Sequence, residues 1–509
     1  MGSRLMALFL ERMLAPLLPG WALRRAAARV QFDGLLAMRG YDAGKVSRST
    51  RNWRTAGSSA AAEDGPALAM LRNRSRDLVR NNNWARKARR QLPAHMVGTG
   101  VVPRPDETAA ERTSKRALSA WSDWAEATDE QEGLGFYAQQ DLLVGTVVES
   151  GEALLIWTPN AKAPGGWTTQ VLEGDYLDEQ HNEMSRNGSG RIINGVEFDA
   201  RGRRVAYHLR LEHPGDPLSP LGAIGKRVRV EARFVDHVFE RLRAGQVRGV
   251  PWLAASMLGL RDMDDYLGAE RMRKKIAAAL AIFIKGPANT PRASPLGEQV
   301  VQSGRGGSQE LNETIKPGTI KRLGLDEDIV SVTPPRDQGL TDYLRWEMLA
   351  ISAGIGLPYA ELTGDLSTAN YGSMRAGKLE FWTLLDRWQW LMLVPQLLRP
   401  AWNRVQATAG VPGLRCEWGF PKRPWVDPLK DAQAELIEAR GGLTPLTELH
   451  AGRGYTTRQV FDAIRHVNDL ADQLGLILDS DPRRTAKNGA ASTPGAGSDG
   501  AAPDDTTTT

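Results

Sequence analysis

Apolar positions recur at helical spacing through most of the chain and alternate with polar ones through one middle stretch. Between 67 and 92, Leu68, Leu71, Leu78 and Ala85 keep approximate helical spacing with arginines between them, which predicts one basic amphipathic helix. Stretches 111–127 and 135–149 read as two further helices. After Gly151 the pattern changes to short strands at 153–158, 168–172, 191–198 and 203–211, separated by turn residues. Ala200-Arg201-Gly202 suits a hairpin turn, with Gly202 at positive φ. From Pro251, placed where a first-turn proline costs nothing, the pattern predicts a single helix to Lys285. Such a helix of about 34 residues would be a rod of roughly 50 Å.

Residues 286–336 hold many Gly, Pro and Ser and read as a compact excursion or loop, followed by a helix over 341–354 with Thr341 as N-cap. That up-and-back pair precedes a polar, glycine-flanked loop at 363–373 and a Trp-rich helix over 371–393, which Pro395 should kink or end. Asp427-Pro428 and Thr444-Pro445 mark further helix starts, Gly441-Gly442 a helix end, and Thr456 with Gln459 a capping box. Val460, Phe461, Ile464, Val467, Leu470, Ala471 and Leu474 then trace an apolar face. Beyond Asp479 almost no large apolar residue remains, so the tail is expected to be disordered.

No 20–50-residue repeat is present, which argues against solenoids and propellers, and 509 residues imply two to four units. Apolar content of 41% with 25% charged residues fits a soluble globular protein. The start of the chain imitates a signal peptide, but Glu11-Arg12 breaks its apolar run, no clean cleavage site follows, and Met6 replaces the residue myristoylation prefers. An arm that docks on a neighbouring subunit and simple disorder both remain open for it. No run of 18 apolar residues exists, so no membrane span is expected.

Charge is unevenly placed. Residues 1–104 carry 19 Lys plus Arg against 6 Asp plus Glu, a net of +13, and the remainder 46 against 54, a net of −8. A basic arm meets nucleic acid or another acidic surface. An acidic remainder argues against a protein that wraps DNA, and suits one that passes DNA along without gripping it.

Chemistry is sparse. Walker, GxSxG and HExxH patterns are all missing, and Gly304-Arg305-Gly306-Gly307 is a lone glycine cluster. The single cysteine, Cys416, reads as a packing residue beside Trp418. His181, His208 and His213 fit no metal spacing. Asp262, Asp264, Asp265 and Glu270 hold enough carboxylates for two metal ions, but only 262 and 265 share a helix face. The expectation is no metal, no cofactor and no catalysis.

The segment GDLSTANYGSMR, Gly364 to Arg375, resembles the signature of the lambda-type tailed-phage portal protein family (head-tail connectors), with Gly372 where a serine is usual. RSRDLVRNN (74–82), VGTGVVP (97–103), SGEALL (150–155), HVFERLRAGQVRGVPWLA (237–254) and PWVDPLKD (424–431) follow the family order, so the resemblance covers about 41–478. It implies an α+β portal-type fold, mostly helical with a β-rich wing, long stem helices, a small clip and a helical crown, assembled as a dodecameric ring. On this chain the parts map to an N-terminal arm (1–40), wing (41–250), stem helix (251–285), clip (286–336) and second stem helix (337–357). The tunnel loop and helix (358–394), wing return (395–424), crown (425–478) and tail (479–509) follow.

The implied function is the DNA channel at one capsid vertex, formed in the host cytoplasm and carried in the virion. Its implied partners are double-stranded DNA without sequence preference, the terminase large subunit, major capsid and scaffold proteins, and head-completion adaptors. Implied to face DNA are Thr363, Gly364, Asp365, Leu366, Ser367, Thr368, Ala369, Asn370, Tyr371, Gly372 and Ser373, with Arg375 and Lys378 opening the next helix. Asp262, Asp265, Arg271, Arg273, Lys274 and Lys275 are expected at the contact between stem helices of neighbouring subunits. Two other classes stay open: a metal-dependent DNA-processing enzyme and a scaffold that binds DNA through its basic arm.

Overall fold

A computed structural model describes residues 57–106, 109–129, 133–184, 190–216, 226–278, 282–285, 328–331, 339–367, 370–423, 427–452 and 457–478, with 48, 51, 52, 55, 455, 481 and 483 besides. Two compact units divide the chain, 1–59 and 60–509, and the elements below belong to the second. The arm, nearly all of the clip, Thr368, Ala369, Thr456 and most of the tail lie outside the described residues.

The expected basic helix is two helices, α1 (Leu68–Asn81) and α2 (Asn83–Met96). Asn82 breaks it. Its backbone is extended, and its side-chain oxygen accepts from Trp84 N (3.0 Å) and Ala85 N (2.9 Å), so a cap replaces a continued helix. Then come β1 (Val102–Pro105), α3 (Glu111–Glu126) and α4 (Phe136–Ser150). Helix α4 is apolar on nearly every side and accordingly buried on nearly every side. Gly151 ends it at φ 91°, and a β-carbon there would stand 2.3 Å from the carbonyl carbon of Val250.

Strands β2 (Glu152–Pro159) and β3 (Trp167–Glu173) pair antiparallel, and β2 also pairs with β9 (Val235–Phe239), giving the sheet order β3-β2-β9. Between them a five-stranded meander runs β4 (Glu183–Met184), β5 (Arg191–Ile193), β6 (Val196–Phe198), β7 (Arg204–Arg210) and β8 (Arg227–Glu231). The expected strand 191–198 is thus a hairpin. Asn194 and Gly195 turn it at φ 49° and 82°, the pair of left-handed residues a tight turn demands. Gly202 takes the positive φ expected of it, 76°.

The rod expected over 251–285 is shorter. A 3₁₀ turn at Ala254–Ser256 leads into α5 (Met257–Ala278), and the chain re-emerges as strand β10 (Ile282–Lys285), antiparallel to β11 (Asp328–Ser331). The run Ile282-Phe283-Ile284 favours a strand over a helix, and a partner strand satisfies its backbone. Helix α6 (Leu340–Ile355) returns alongside α5, started by Gly339 at φ 115° and not by a Thr341 cap.

After α7 (Tyr359–Thr363) comes α8 (Tyr371–Trp388). Pro395 neither ends nor interrupts the helical course: a π-helical stretch, Gln389–Leu398, carries the chain through it into α9 (Arg399–Thr408). The wider π turn absorbs the missing N–H. Strand β12 (Cys416–Gly419) closes back on β1, and α10 (Pro428–Arg440), α11 (Leu446–Gly452) and α12 (Thr457–Leu474) end the described chain.

One core runs through most of this unit and is centred on tryptophans. Trp124 stacks on Trp157 with ring centroids 5.3 Å apart, and Trp121 packs against Trp124, Trp402 and Trp418. Two of its buried indole N–H groups find acceptors, Trp157 to Asp236 at 2.7 Å and Trp402 to the Leu414 carbonyl at 2.8 Å. Cys416 is half-buried against this core, and burial pushes its thiol up to about 12, as befits a packing residue.

Candidate functional site

The loop at 363–373 hangs between two fixed ends. Leu362, fully buried, anchors its start. Thr363 Oγ1 donates to the Tyr359 carbonyl (2.8 Å) and accepts from Asp365 N (3.1 Å), while Gly364 turns the chain at φ 79°. Asp365 accepts from Tyr359 Oη (3.1 Å) and from Ser367 N (2.9 Å). Hydrogen bonds from Ser367 and Tyr359 hold its carboxyl below the ordinary carboxylate range, so it is a firm anion. At the far end Asn370 and Ser373 form a reciprocal capping box, Ser373 N to Asn370 Oδ1 at 2.8 Å and Asn370 N to Ser373 Oγ at 3.1 Å. Asp365, Leu366, Ser367, Asn370, Tyr371, Gly372 and Ser373 are all exposed. The result is an outward surface of short polar side chains, held by local bonds.

The cations beside it are spoken for. Arg375 Nη1 donates to Tyr371 Oη (3.0 Å) and lies 3.7 Å from Asp431 on α10. Lys378 is half-buried and, with His95 and Lys87 of α2, helps hold the Glu361 carboxyl below its usual range against the opposing effect of burial. Glu361 lies 3.0 Å from His95. The loop is thereby seated on the basic helix α2.

The expected interface charges on α5 are arranged differently. Arg273 donates to Glu270 at 2.7 Å, Lys274 lies 3.8 Å from the same carboxylate, and Asp265 pairs with Arg261 at 3.4 Å. Asp264 accepts from Asn82 Nδ2 at 2.8 Å. These are neighbours one turn apart or contacts with the break between α1 and α2. Asp262, Arg271, Lys274 and Lys275 remain exposed. Asp262, Asp264 and Asp265 do not form a three-carboxylate cluster among the described residues.

A second constellation was invisible in the sequence. Glu152, wholly buried, accepts from Arg248 Nε (2.8 and 2.9 Å), from Gly249 N (2.9 Å) and from His237 Nε2 (2.9 Å). Arg248 also donates to the carbonyls of Gly174 (2.7 Å) and Asn194 (2.9 Å). Arg72, buried, stands 3.7 Å from Glu152 and 3.3 Å from both Asp175 and Glu179. Arg76 donates to Asp175 (3.2 Å), Glu173 (2.7 Å) and Ser150 (3.3 Å). Although burial opposes it, the surrounding Arg248 and His237 hold the Glu152 carboxyl strongly down, and burial pushes His237 down to about 4. His237 is therefore neutral, donating from Nε2 to Glu152 and accepting at Nδ1 from Arg204 (3.2 Å). The motif segments 74–82, 150–155 and 237–254 meet here, and their shared task is to lock α1, the three-stranded sheet and the meander together. Glu173, Asp175 and His213 come close enough to hold a cation, but Arg76 already occupies both carboxylates.

Residues 46–389 match the family described as "Phage portal protein, lambda family". The chain belongs to that family. It is 25% identical over 410 residues to the probable portal protein of Halomonas phage phiHAP-1, covering 74% of this chain and 75% of that one. The portal protein of Escherichia phage N15 is 22% identical over 485 residues, 84% of this chain and 90% of its own. Similar solved structures include a chain from the neck of a native gene transfer agent (GTA) particle computed with C12 symmetry, with TM-score 0.39, 15% identity, and coverage of 75% of this chain and 93% of that one. An HK97-family portal protein from Corynebacterium diphtheriae has TM-score 0.28 and 11% identity, covering 64% and 86%. As a phage portal protein the chain has the mixed helical and sheet architecture expected of it. The family match spans the buried ion network and the signature loop, and it ends just after α8.

Proposed function

We propose that this chain assembles into a closed ring, twelve copies in the virion, whose central channel passes double-stranded DNA during packaging and ejection. The loop at 363–373 lines the narrowest part of that channel. In this reading the wing is 41–250 with 395–424, the stem is α5 with α6, the clip is 286–336 and the crown is 425–478. The terminase large subunit docks during packaging, head-completion adaptors follow, and capsid and scaffold proteins meet the wing.

The carrying observation is the loop itself: an anchored, exposed surface whose polar groups, Asp365, Ser367 and Asn370, are anionic or small and stand beside the exposed Leu366 and Tyr371. Duplex DNA carries one charge about every 1.7 Å, and cationic contacts trap it by counterion release. A wall that must let it slide needs groups unable to clamp, and Arg375 is turned aside onto Asp431. Exposed apolar side chains add to the case for a ring. On α6, Trp346 is 74% exposed, on the side opposite the buried Met348, Ile351 and Ile355, and Tyr343, edge-on to Tyr266 of α5, is 52% exposed on the flank. On α12, the expected apolar face exists and only Ala471 of it is buried. Neighbouring copies would cover both.

Negative-stain images of the purified full chain test the ring: particles with a central hole are expected, and a monodisperse monomer at micromolar concentration would overturn it.

A further inference from the structure

Beside the meander lies a cavity of about 760 Å³, lined by Arg191, Arg204, Arg241 and Arg243 with Phe198 and Val247 among the apolar groups. None of its described lining residues is acidic. Arg243 is paired with Glu63 at 2.9 Å, and Arg204 donates to the Val247 carbonyl (3.0 Å) and His237 Nδ1 (3.2 Å). Arg241 has no carboxylate partner among the described residues. Its guanidinium lies 5.5 Å from the Phe239 ring centroid, and Arg204 stands 5.1 Å from the same ring. Burial and the neighbouring Arg204 push the Arg241 guanidinium below its ordinary range.

The loop carrying these arginines is fixed in advance. Gln246, buried, accepts from Leu242 N (2.8 Å) and Arg243 N (3.3 Å) and donates to the Arg248 carbonyl (2.9 Å), while Gly245 turns the chain at φ 78°. Arg248 is itself locked on Glu152. Little ordering cost would remain for a ligand.

We propose that this cavity binds a phosphoryl group. Among the described residues no carboxylate is paired with Arg191, Arg204 or Arg241, and a phosphate carrying roughly −1.5 to −2 charges with three acceptor oxygens answers them better than a single carboxylate. Planar guanidinium forks also match phosphate edges bidentately. The phosphate has two sources, a free phosphorylated small molecule or the backbone of duplex DNA lying outside the channel. This site is independent of the channel assignment.

Titration calorimetry of the full chain with inorganic pyrophosphate tests it, using Arg191→Gln/Arg241→Gln as the comparison, since neither side chain belongs to the buried ion network. Saturable binding at one site per chain, weakened at least tenfold in the double variant with an unchanged melting temperature, is expected. Displacement of pyrophosphate by a 20-base-pair duplex would identify the DNA backbone as the source, and failure to displace it the small molecule. Equal affinity of wild type and variant, or displacement by poly-glutamate as effective as by pyrophosphate, would overturn the proposal.

Discussion

The region proposed as the wing and the helix pair proposed as the stem handle charge and apolar surface in opposite ways. In the wing, Glu152, Arg248, His237 and Arg72 are buried and mutually bonded, so that part of the fold is complete within one chain. On α5 the Arg261–Asp265 pair sits in solvent one turn apart, and on α5 and α6 Trp346, Tyr343 and Leu258 stand exposed. Buried ions lock one arrangement because any other strands a charge. Exposed apolar faces leave the choice of partner to a neighbour. The difference separates what folds from what assembles.

Breaking the wing should have the largest effect. Glu152→Gln or Arg248→Met removes one partner of a buried pair and is expected to cost about 3–5 kcal/mol, read as a large fall in melting temperature and insoluble expression. Either variant melting within a degree of wild type would mean the network is not what holds the wing.

Next in size, Trp346→Ser with Leu349→Ser should leave the chain folded, within about 0.5 kcal/mol as for other exposed positions, yet abolish rings in mass photometry. Rings at wild-type abundance would place the subunit contact elsewhere. A smaller and more selective change is Ser367→Lys with Thr368→Lys. Rings should form and packaging should slow, more so at low salt where screening is weakest. The matching double alanine change should be tolerated, and unchanged packaging by the lysine variant would take the loop out of the channel.

The smallest effect separates wing from stem by pH. His237 has its pKa lowered to about 4 in the fold. A lowered pKa means stability fully present above the unfolded value near 6.5 and lost as pH falls toward 4. At pH 5.5 the loss should be roughly 1 kcal/mol, with Glu152, also held down, adding only below about pH 4.5. Thermal melts of wild type and His237→Gln between pH 7 and 5.5 should differ in slope, and parallel curves would remove His237 from the account.

Much of this was legible in the sequence. The Gly202 turn and the Asp427 cap, which accepts from Lys430 N, were local patterns read correctly. The Asn82 break was also local, written in Asn81-Asn82-Asn83, but the apolar spacing continues through it and masked it. Strands β1 and β12 were missed because each has only four residues, two of them prolines in β1, too few to show alternation, and their pairing joins Val102 to Gly419 across most of the chain. The buried network was illegible for the same reason: Glu152 and Arg248 lie 96 positions apart, and nothing in either segment alone tells a buried ion from a surface one.

The π-helical stretch at Gln389–Leu398 bears on chain length. A π turn holds an extra residue that an α-helix would not need, so it is an insertion absorbed without a loop. Deleting one residue there would restore α-helical hydrogen bonding and leave the face of α9 where it is, with Arg404, now 2.9 Å from Asp236 and 4.5 Å over the Trp157 ring, keeping both contacts. A residue deleted from a plain α-helix such as α9 would instead rotate everything beyond it by about 100°. Along this helix the π stretch is the place where length can change without turning the side chains that follow.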